Sequence, residues 1–337
     1  MKQNDFSKSL TDFLTKYLPA DRGMSDNTIA SYKATFILLI SFMQEQKSIP
    51  ANKLMFKHFT RECVEQFLNH LETIRKCSSS TRNTRLAALH SFFAYVQYDY
   101  PEHIDECSKI LSIKVKRAKR KSINYLSVEG IKLLLEQPDL STRKGVRDLA
   151  LLALMYDTAA RVQEIIDLTL SSLRLDKPYT IKLIGKGTKA RIVPLMEEQV
   201  AHLKQYMERN GLLNNEKNEH PLFYNSSKEK LTRAGVNHIL QHYASIAKKK
   251  SPGLMPDKIS PHSLRHTKAM HLLQAGVNLV YIRDILGHES VTTTELYARV
   301  DSKQKREAIE KAFVNVVKKE APMWVNNDNL LQWLRSF

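Results

Sequence analysis

Four side chains between Ser260 and Val300 are of types that handle a phosphate: His262, Arg265, His288 and Tyr297. His262 and Arg265 are three residues apart, so they share one face of a helix's first turn. Ser260 reads as that helix's N-cap and Pro261 as its first residue. Backbone N–H groups and the positive dipole end gather at the same place, which suits an anion, phosphate included. Leu264, Met270, Leu272 and Leu273 supply the apolar face, and Gly276 closes the helix at C′. Asn278 opens a second short helix that Gly287 ends, which puts His288 in the turn. Ser290 can cap a third helix carrying Tyr297. Helix ends and turns let polar groups from separate elements converge on one point.

The elements upstream add cations. Arg147–Tyr156, RDLALLALMY, is a strongly apolar helix, and Thr158-Ala159-Ala160-Arg161 follows it, with a further helix from about Val162. A charge between two apolar helices is costly unless paired. Arg161 therefore needs an anion, either Glu164 or a ligand phosphate. Tyr179–Leu195 is the clearest β signal: Thr180–Ile184 alternates, Gly185-Lys186-Gly187-Thr188-Lys189 turns, and Arg191–Leu195 returns. Its tip can swing Lys186 or Lys189 into a site. Val128, Ile131, Leu134 and Leu135 form a helical stripe after Leu126. Residues 197–248 give two or three helices around a polar loop at Asn210–His220. Arg233–Tyr243, with Asn237, His238 and His242, can face DNA.

This ordered set resembles the tyrosine recombinase (phage integrase) family, of the Xer/integrase kind. The matching pieces are H-x-L-R-H at His262, Leu264, Arg265 and His266, L-G-H at Leu286–His288, and T-x-x-Y ending at Tyr297. Ala160-Arg161-Val162-Gln163-Glu164-Ile165 is similar to the family's first arginine box, and Ile184-Gly185-Lys186-Gly187 to its lysine hairpin. Lys186 matches the family's lysine by its Gly-Lys-Gly setting. The likeness is strong over residues 125–300 and looser before them. Ala159 stands where the family more often has glycine.

The chemistry of these groups fits that resemblance. Two planar guanidiniums, Arg161 and Arg265, can hold non-bridging phosphate oxygens from two sides and stabilise growing charge. Tyr297, with an ordinary pKa of ~10, attacks well only if its proton leaves in the transition state. His262 is the expected acid/base, His288 a donor to a phosphate oxygen, Lys186 the acid for the departing 5′ oxygen, and Glu164 the group that orients them. The product is a 3′-phosphotyrosyl link that stores the bond energy, so no nucleotide cofactor is expected, and no phosphate-binding P-loop motif is present. His262 and His266 have zinc-helix spacing, but Ser263 sits where a catalytic Glu would be and Arg265 lies between them. No metal is expected, and His266 reads as a buried structural residue.

The elements that must position this site make a mainly α chain with a small β-hairpin or sheet. The resemblance implies a two-domain DNA clamp: an all-helical core-binding domain over residues 1–113, a basic linker over 114–124, an α+β catalytic domain over 125–320, and a tail over 321–337. Phe6, Leu10, Phe13, Leu14 and Tyr17 keep helical spacing until Pro19 stops them. Ser25 or Asp26 opens a second helix with Ile29, Tyr32, Phe36, Leu39 and Ile40 inward. Thr60 and Glu62 open a third with Val64, Phe67, Leu68 and Leu71, and Ser80–Tyr98 makes a fourth with Leu86, Leu89, Phe92, Phe93 and Val96 inward. Thr81, Arg82, Asn83 and Arg85 in its first turn can reach phosphates or a groove. Lys114–Lys121 reads KVKRAKRK; Lys114, Lys116, Arg117, Lys119, Arg120 and Lys121 are expected to lie along DNA phosphates. Lys189 is a further expected DNA contact.

Composition agrees. A net charge of +17 favours a polyanion, since neutralising phosphates releases counterions. Cys63, Cys77 and Cys107 form no C-x-x-C, so neither a disulfide framework nor a zinc ribbon is indicated. No run approaches the ~18–20 apolar residues of a membrane span, and MKQNDFSKSL lacks a signal peptide's apolar core. A cytoplasmic, nucleoid-associated bacterial protein is expected. Lys303–Val317 reads as another helix, and Met323, Trp324, Leu330, Leu331, Trp333, Leu334 and Phe337 make the tail strongly apolar. The resemblance implies that this tail docks on a neighbouring copy, in a tetramer on two double-stranded DNA sites. The expected function is site-specific cleavage and rejoining of DNA in integration, excision or resolution, as on a mobile element. A catalytically silent DNA-binding accessory protein and a monomeric type IB topoisomerase are the rival readings.

Overall fold

The protein is seen in a computed structural model that describes residues 5–118, 123–213 and 219–300, with residues 332 and 334–336. The helix expected over Lys303–Val317, the linker residues Lys119, Arg120 and Lys121, and the tail residues Met323, Trp324, Leu330, Leu331, Trp333 and Phe337 lie outside the described residues. Leu334 is described and exposed. Two compact units span residues 1–121 and 122–337.

The first unit is helical: α1 Asp5–Asp12, α2 Asp26–Lys47, α3 Arg61–Thr73, α4 Ser79–Asp99 and α5 Ile104–Leu111. Pro19 does not stop the first helix. The chain widens into a π-helical stretch, Phe13–Asp21, that contains the proline and runs two residues past it. A wider turn accommodates the ring and its missing donor. Thr60 and Ser78 cap α3 and α4 by accepting from Cys63 and Thr81 N–H. The stripes read from periodicity meet around Phe92, whose ring lies 5.0 Å from Phe36 and 5.2 Å from Phe13. Burying each such ring contributes about 1.5–3 kcal/mol.

The polar side chains at the start of α4 are engaged within the unit. Arg82 is buried and donates to the Lys114 carbonyl (3.3 Å). Arg85 donates to the Ser31 carbonyl (2.9 Å) and the Thr35 hydroxyl (3.1 Å). Asn83 pairs with both backbone groups of Lys116, donating to its carbonyl at 2.7 Å and accepting from its N–H at 3.1 Å. Thr81 is engaged with the Ser78 cap. These four side chains, expected at DNA, thus hold the start of the basic segment and the α2–α4 contact. Main-chain carbonyls accept from both guanidiniums, Asn83 Oδ1 accepts from Arg82 as well (3.2 Å), and Glu72 supplies the counter-charge 3.9 Å from Arg82 Nε. Lys114, Lys116 and Arg117 keep exposed side chains.

The second unit contains α6 Val128–Leu135, α7 Arg143–Thr158, α8 Val162–Ile166, α9 Glu197–Arg209, α10 Arg233–Lys250, α11 Pro261–Gln274, α12 Leu279–Leu286 and α13 Val291–Val300. Its antiparallel sheet has the order β1-β2-β3, with β1 Leu173–Arg174, β2 Thr180–Ile184 and β3 Ala190–Pro194. The register Ile184↔Ala190 leaves residues 185–189 as the hairpin tip. The apolar α7 is the central helix; Leu151, Leu152, Leu154 and Met155 are fully buried. Val128, expected in the α6 stripe, is exposed, whereas Ile131 and Leu134 are buried. Leu126 is tied to α11: its N–H donates to Thr267 Oγ1 (3.0 Å) and its carbonyl pairs with His271 Nε2 (3.0 Å). Cys63, Cys77 and Cys107 are free thiols. Among the described residues no helix is long and apolar enough to cross a membrane.

Candidate active site

The site is assembled on the C-terminal end of α12. A helix end leaves carbonyls without intrahelical partners and carries partial negative charge. Gly287 ends α12 in the left-handed region (φ +62°), as a C′ glycine does. Three consecutive carbonyls there each receive a guanidinium from a different element. Arg191 Nε of β3 donates to Ile285 O (2.8 Å), Arg265 Nη2 of α11 to Leu286 O (2.5 Å), and Arg161 Nη2, at the N-cap of α8, to Gly287 O (3.1 Å). A side chain at Gly287 would come within 2.9 Å of Arg191 Nη1, so the close approach also requires glycine.

Glu164 ties two of these arginines together. It accepts from Arg161 N–H (2.7 Å) and Arg161 Nη1 (2.9 Å), and a bidentate pair from Arg191 at 2.9 and 2.7 Å. Burial pushes its carboxyl up, but Arg191 and then Arg161 outweigh that and hold it below the ordinary carboxylate value. The expectation that Arg161 takes a carboxylate or a phosphate resolves as a shared one: Glu164 also serves Arg191, and Arg161 keeps an open edge. Arg265, the other Arg of the motif, is buried and anchored a second time on Ala159 O (2.7 Å). Ala159 itself caps α7 at φ +49°, a left-handed conformation that favours glycine.

Three guanidiniums on one helix end, with one carboxylate paired to two of them, leave excess positive charge. Burial, and next the Arg161 charge, bring Arg265 down to about 10. His288 follows in the turn; burial and then Arg265, Arg161 and Arg191 bring it down to about 4. Its Nδ1 shares a hydrogen bond with Thr294 Oγ1 (3.0 Å), which belongs to the T-x-x-Y motif and is fully buried. His262, at the first turn of α11 with an exposed edge, is lowered by partial burial, then by Arg265 and Arg161. An anion placed here relieves all of these repulsions. Beside them opens a cleft of about 470 Å³ lined by Arg161, Gly185, Lys189, Arg191, Gly287 and His288. A larger basic hollow of about 860 Å³, lined by Arg143, Lys144, Arg147, Arg209 and Lys228, shares no residue with it and none of its titrating histidines.

Tyr297 is 2% exposed, and its hydroxyl shares a 2.9 Å hydrogen bond with His266 Nδ1. Burial raises the phenol's pKa, with a smaller opposite effect of Arg265. The histidine read as structural is therefore the one in contact with the tyrosine, while His262 lies one turn of α11 away, ring centroids 6.4 Å apart. His266 is held below its ordinary pKa by burial, His262 and Arg265. In this arrangement Tyr297 belongs to the apolar cluster of Ala269, Met270, Ile282 and Leu286 and does not line the cleft.

The hairpin tip closes with Gly185 N–H on the Lys189 carbonyl (2.9 Å), and Gly187 and Thr188 both turn through positive φ. The backbone of Lys186 lies in this tip. Lys189, the other tip lysine, is an exposed residue paired with Glu289 (2.8 Å). Arg191 was not singled out from the sequence, although a signal existed. Strand alternation puts it on the same face as the buried Val193, where a charge requires an anion. Among the described residues no group of three or more His, Cys, Asp or Glu is placed to hold a metal.

Residues 124–304 match the phage integrase family, and residues 11–97 match the phage integrase N-terminal SAM-like domain. The chain is 34% identical to the protein y4rC of Sinorhizobium fredii, over 99% of both chains. It is 32% identical to tyrosine recombinase XerC of Thermodesulfovibrio yellowstonii, over 90% of this chain and 95% of that one. Among solved structures it is similar to the XerH site-specific recombinase bound to palindromic difH substrate in a post-cleavage complex. That likeness has a TM-score of 0.67, with 23% identity over 92% of this chain and 90% of the other.

Proposed function

This chain belongs to the phage integrase family, and we propose that its cationic centre cleaves and rejoins DNA by way of Tyr297. It is a tyrosine site-specific recombinase. The observation that carries the residue assignment is the convergence of Arg161, Arg191 and Arg265 on the α12 end, the first two sharing Glu164, with His288 emerging from the same turn.

A scissile phosphate in the cleft would meet the open edge of Arg161 and the neighbouring Arg265, whose charges oppose that growing on the non-bridging oxygens. When the Thr294 hydroxyl donates to Nδ1, the neutral His288 ring carries its proton on Nε2 and can donate it to a phosphate oxygen. The Tyr297 oxygen attacks phosphorus as the bond to the 5′ oxygen breaks. The phenol proton passes to His262 once the hydroxyl has left His266, and the 5′ oxygen takes a proton from Lys186. The 3′-phosphotyrosyl link keeps the energy of the broken bond, and the reverse attack by a 5′ hydroxyl reseals a strand without a nucleotide cofactor.

In this reading residues 1–113 form the core-binding domain, 114–124 a basic linker, 125–320 the catalytic domain and 321–337 a tail. Lys114, Lys116 and Arg117, with Lys119, Arg120 and Lys121 after them, lie along DNA phosphates. The assembly is a tetramer on two duplex sites, supported by the apolar composition of residues 322–337, and the setting is the bacterial cytoplasm. The direct test is Tyr297→Phe on a suicide DNA substrate nicked beside the cleavage point. Site binding should persist and the covalent band on a denaturing gel should vanish. A persisting covalent band would overturn the assignment.

A further inference from the structure

We infer that Arg191 is a positioning residue that locks the lysine hairpin to the arginine–histidine centre, so that Lys186 is presented only when Arg161 and His288 are seated. The inference rests on the reading of Lys186 and Arg161 given above. Arg191 stands on β3 two residues beyond the tip residue Lys189, and its side chain is only 12% exposed. Its fork saturates both Glu164 oxygens, and its Nε takes the Ile285 carbonyl. One side chain therefore connects three elements: the hairpin, the α8 turn that holds Arg161, and the α12 end from which His288 emerges.

The geometry limits what can replace it. A bidentate pair with a third bond in the same plane needs a guanidinium; an ammonium is a point donor and cannot make all three. Packing against the site is tight on both sides. A Cβ on Gly185 would fall 3.2 Å from Glu164 Oε1, and one on Gly287 would fall 2.9 Å from Arg191 Nη1. Hairpin and turn thus approach the Glu164 pair through glycine backbones. Without Arg191, β3 loses its bond to the α12 end and Glu164 keeps only Arg161. The tip then keeps its own Gly185–Lys189 closure and, toward the centre, only the solvent-exposed Lys189–Glu289 pair, which is a weak tie.

Arg191→Lys and Arg191→Ala are tested on matched suicide substrates carrying a normal phosphodiester or a 5′-bridging phosphorothiolate, whose sulfur leaves without a proton. Backbone hydrogen exchange of residues 185–189 is measured alongside, with α7 amides reporting that the unit is folded. Cleavage of the normal substrate should fall about 10–100-fold, the usual range for a residue orienting active groups. The phosphorothiolate should restore it to within a few-fold of wild type, because the lost function is delivery of the leaving-group proton. Tip exchange should quicken while α7 stays protected. Equal impairment on both substrates, or unchanged cleavage and tip exchange, would overturn the inference. Lys186→Ala is run beside these variants. If it is not itself rescued by sulfur, the acid role of Lys186 fails, and the exchange of the tip alone decides whether Arg191 holds the hairpin.

Discussion

Lowering the pH should destabilise the free protein through His288 in particular. Its imidazole is brought from an ordinary 6.5 to about 4 by burial and by Arg265, Arg161 and Arg191. The unfolded chain binds a proton at this position below 6.5, whereas the folded chain refuses it until about 4. The stabilisation is therefore fully present above pH 6.5 and is lost as the pH falls through about 4. That interval corresponds to roughly 3 kcal/mol at about 1.4 kcal/mol per pH unit. His262 and His266 are lowered as well and act in the same direction, so the measurement must be a difference. Urea unfolding of wild type and His288→Asn from pH 7.5 to 4, followed by a signal from the second unit, isolates the one residue. The wild type should lose roughly 3 kcal/mol more than the variant across that range. Parallel pH curves for the two proteins would refute the claim that the arginines and burial hold this ring neutral.

Glu164→Gln removes the one carboxylate shared by the largely buried Arg191 and the half-buried Arg161. Breaking a buried pair costs about 3–5 kcal/mol, so calorimetry should show the second unit melting about 6–20 °C lower, and an unchanged midpoint would sink the account. DNA cannot reach the phenol of Tyr297 where it sits, so leaving His266 is part of attack; His266→Phe should speed covalent trapping on a suicide substrate by up to about tenfold. Slower trapping would instead make His266 the group that takes the phenol proton. Ala159→Gly relieves about 1–2 kcal/mol of left-handed strain but loses a buried methyl worth about 0.8 kcal/mol and adds unfolded-state freedom. Its urea midpoint should stay within about 1 kcal/mol of wild type, and a loss of twice that would show that the methyl's packing dominates.

The sequence made some parts of this site legible and hid others for physical reasons. Gly287 could be read as a left-handed cap because glycine there has one obvious use, and His288 followed from it. What the cap exposes could not be read: three carbonyls whose donors lie 94, 21 and 126 residues away in the chain. Arg161 announced its need for an anion through the apolar helices on either side. Arg191 announced the same need by strand alternation, but a basic residue near a lysine-rich turn looks like more of the same charge. Arg82 and Arg85 hid their internal partners. Basic side chains at a helix start suit DNA, and only tertiary packing reveals that they reach the Lys114 and Ser31 carbonyls instead. β1, two residues long, has too few positions to show any period.

The shared carboxylate at Glu164 also divides the protein's response to ionic strength. Exposed charges, including Lys114 and Arg117, are screened over a Debye length of about 10 Å at 0.1 M salt and about 3 Å at 1 M. The Arg161–Glu164–Arg191 group is held by direct contacts around a carboxylate side chain that is 3% exposed, so mobile ions have little room between its members. Concentrated salt should therefore loosen the grip on the duplex long before it disturbs the reactive centre. Protein washed off DNA in high salt should retain an assembled centre and regain activity on simple dilution, without refolding.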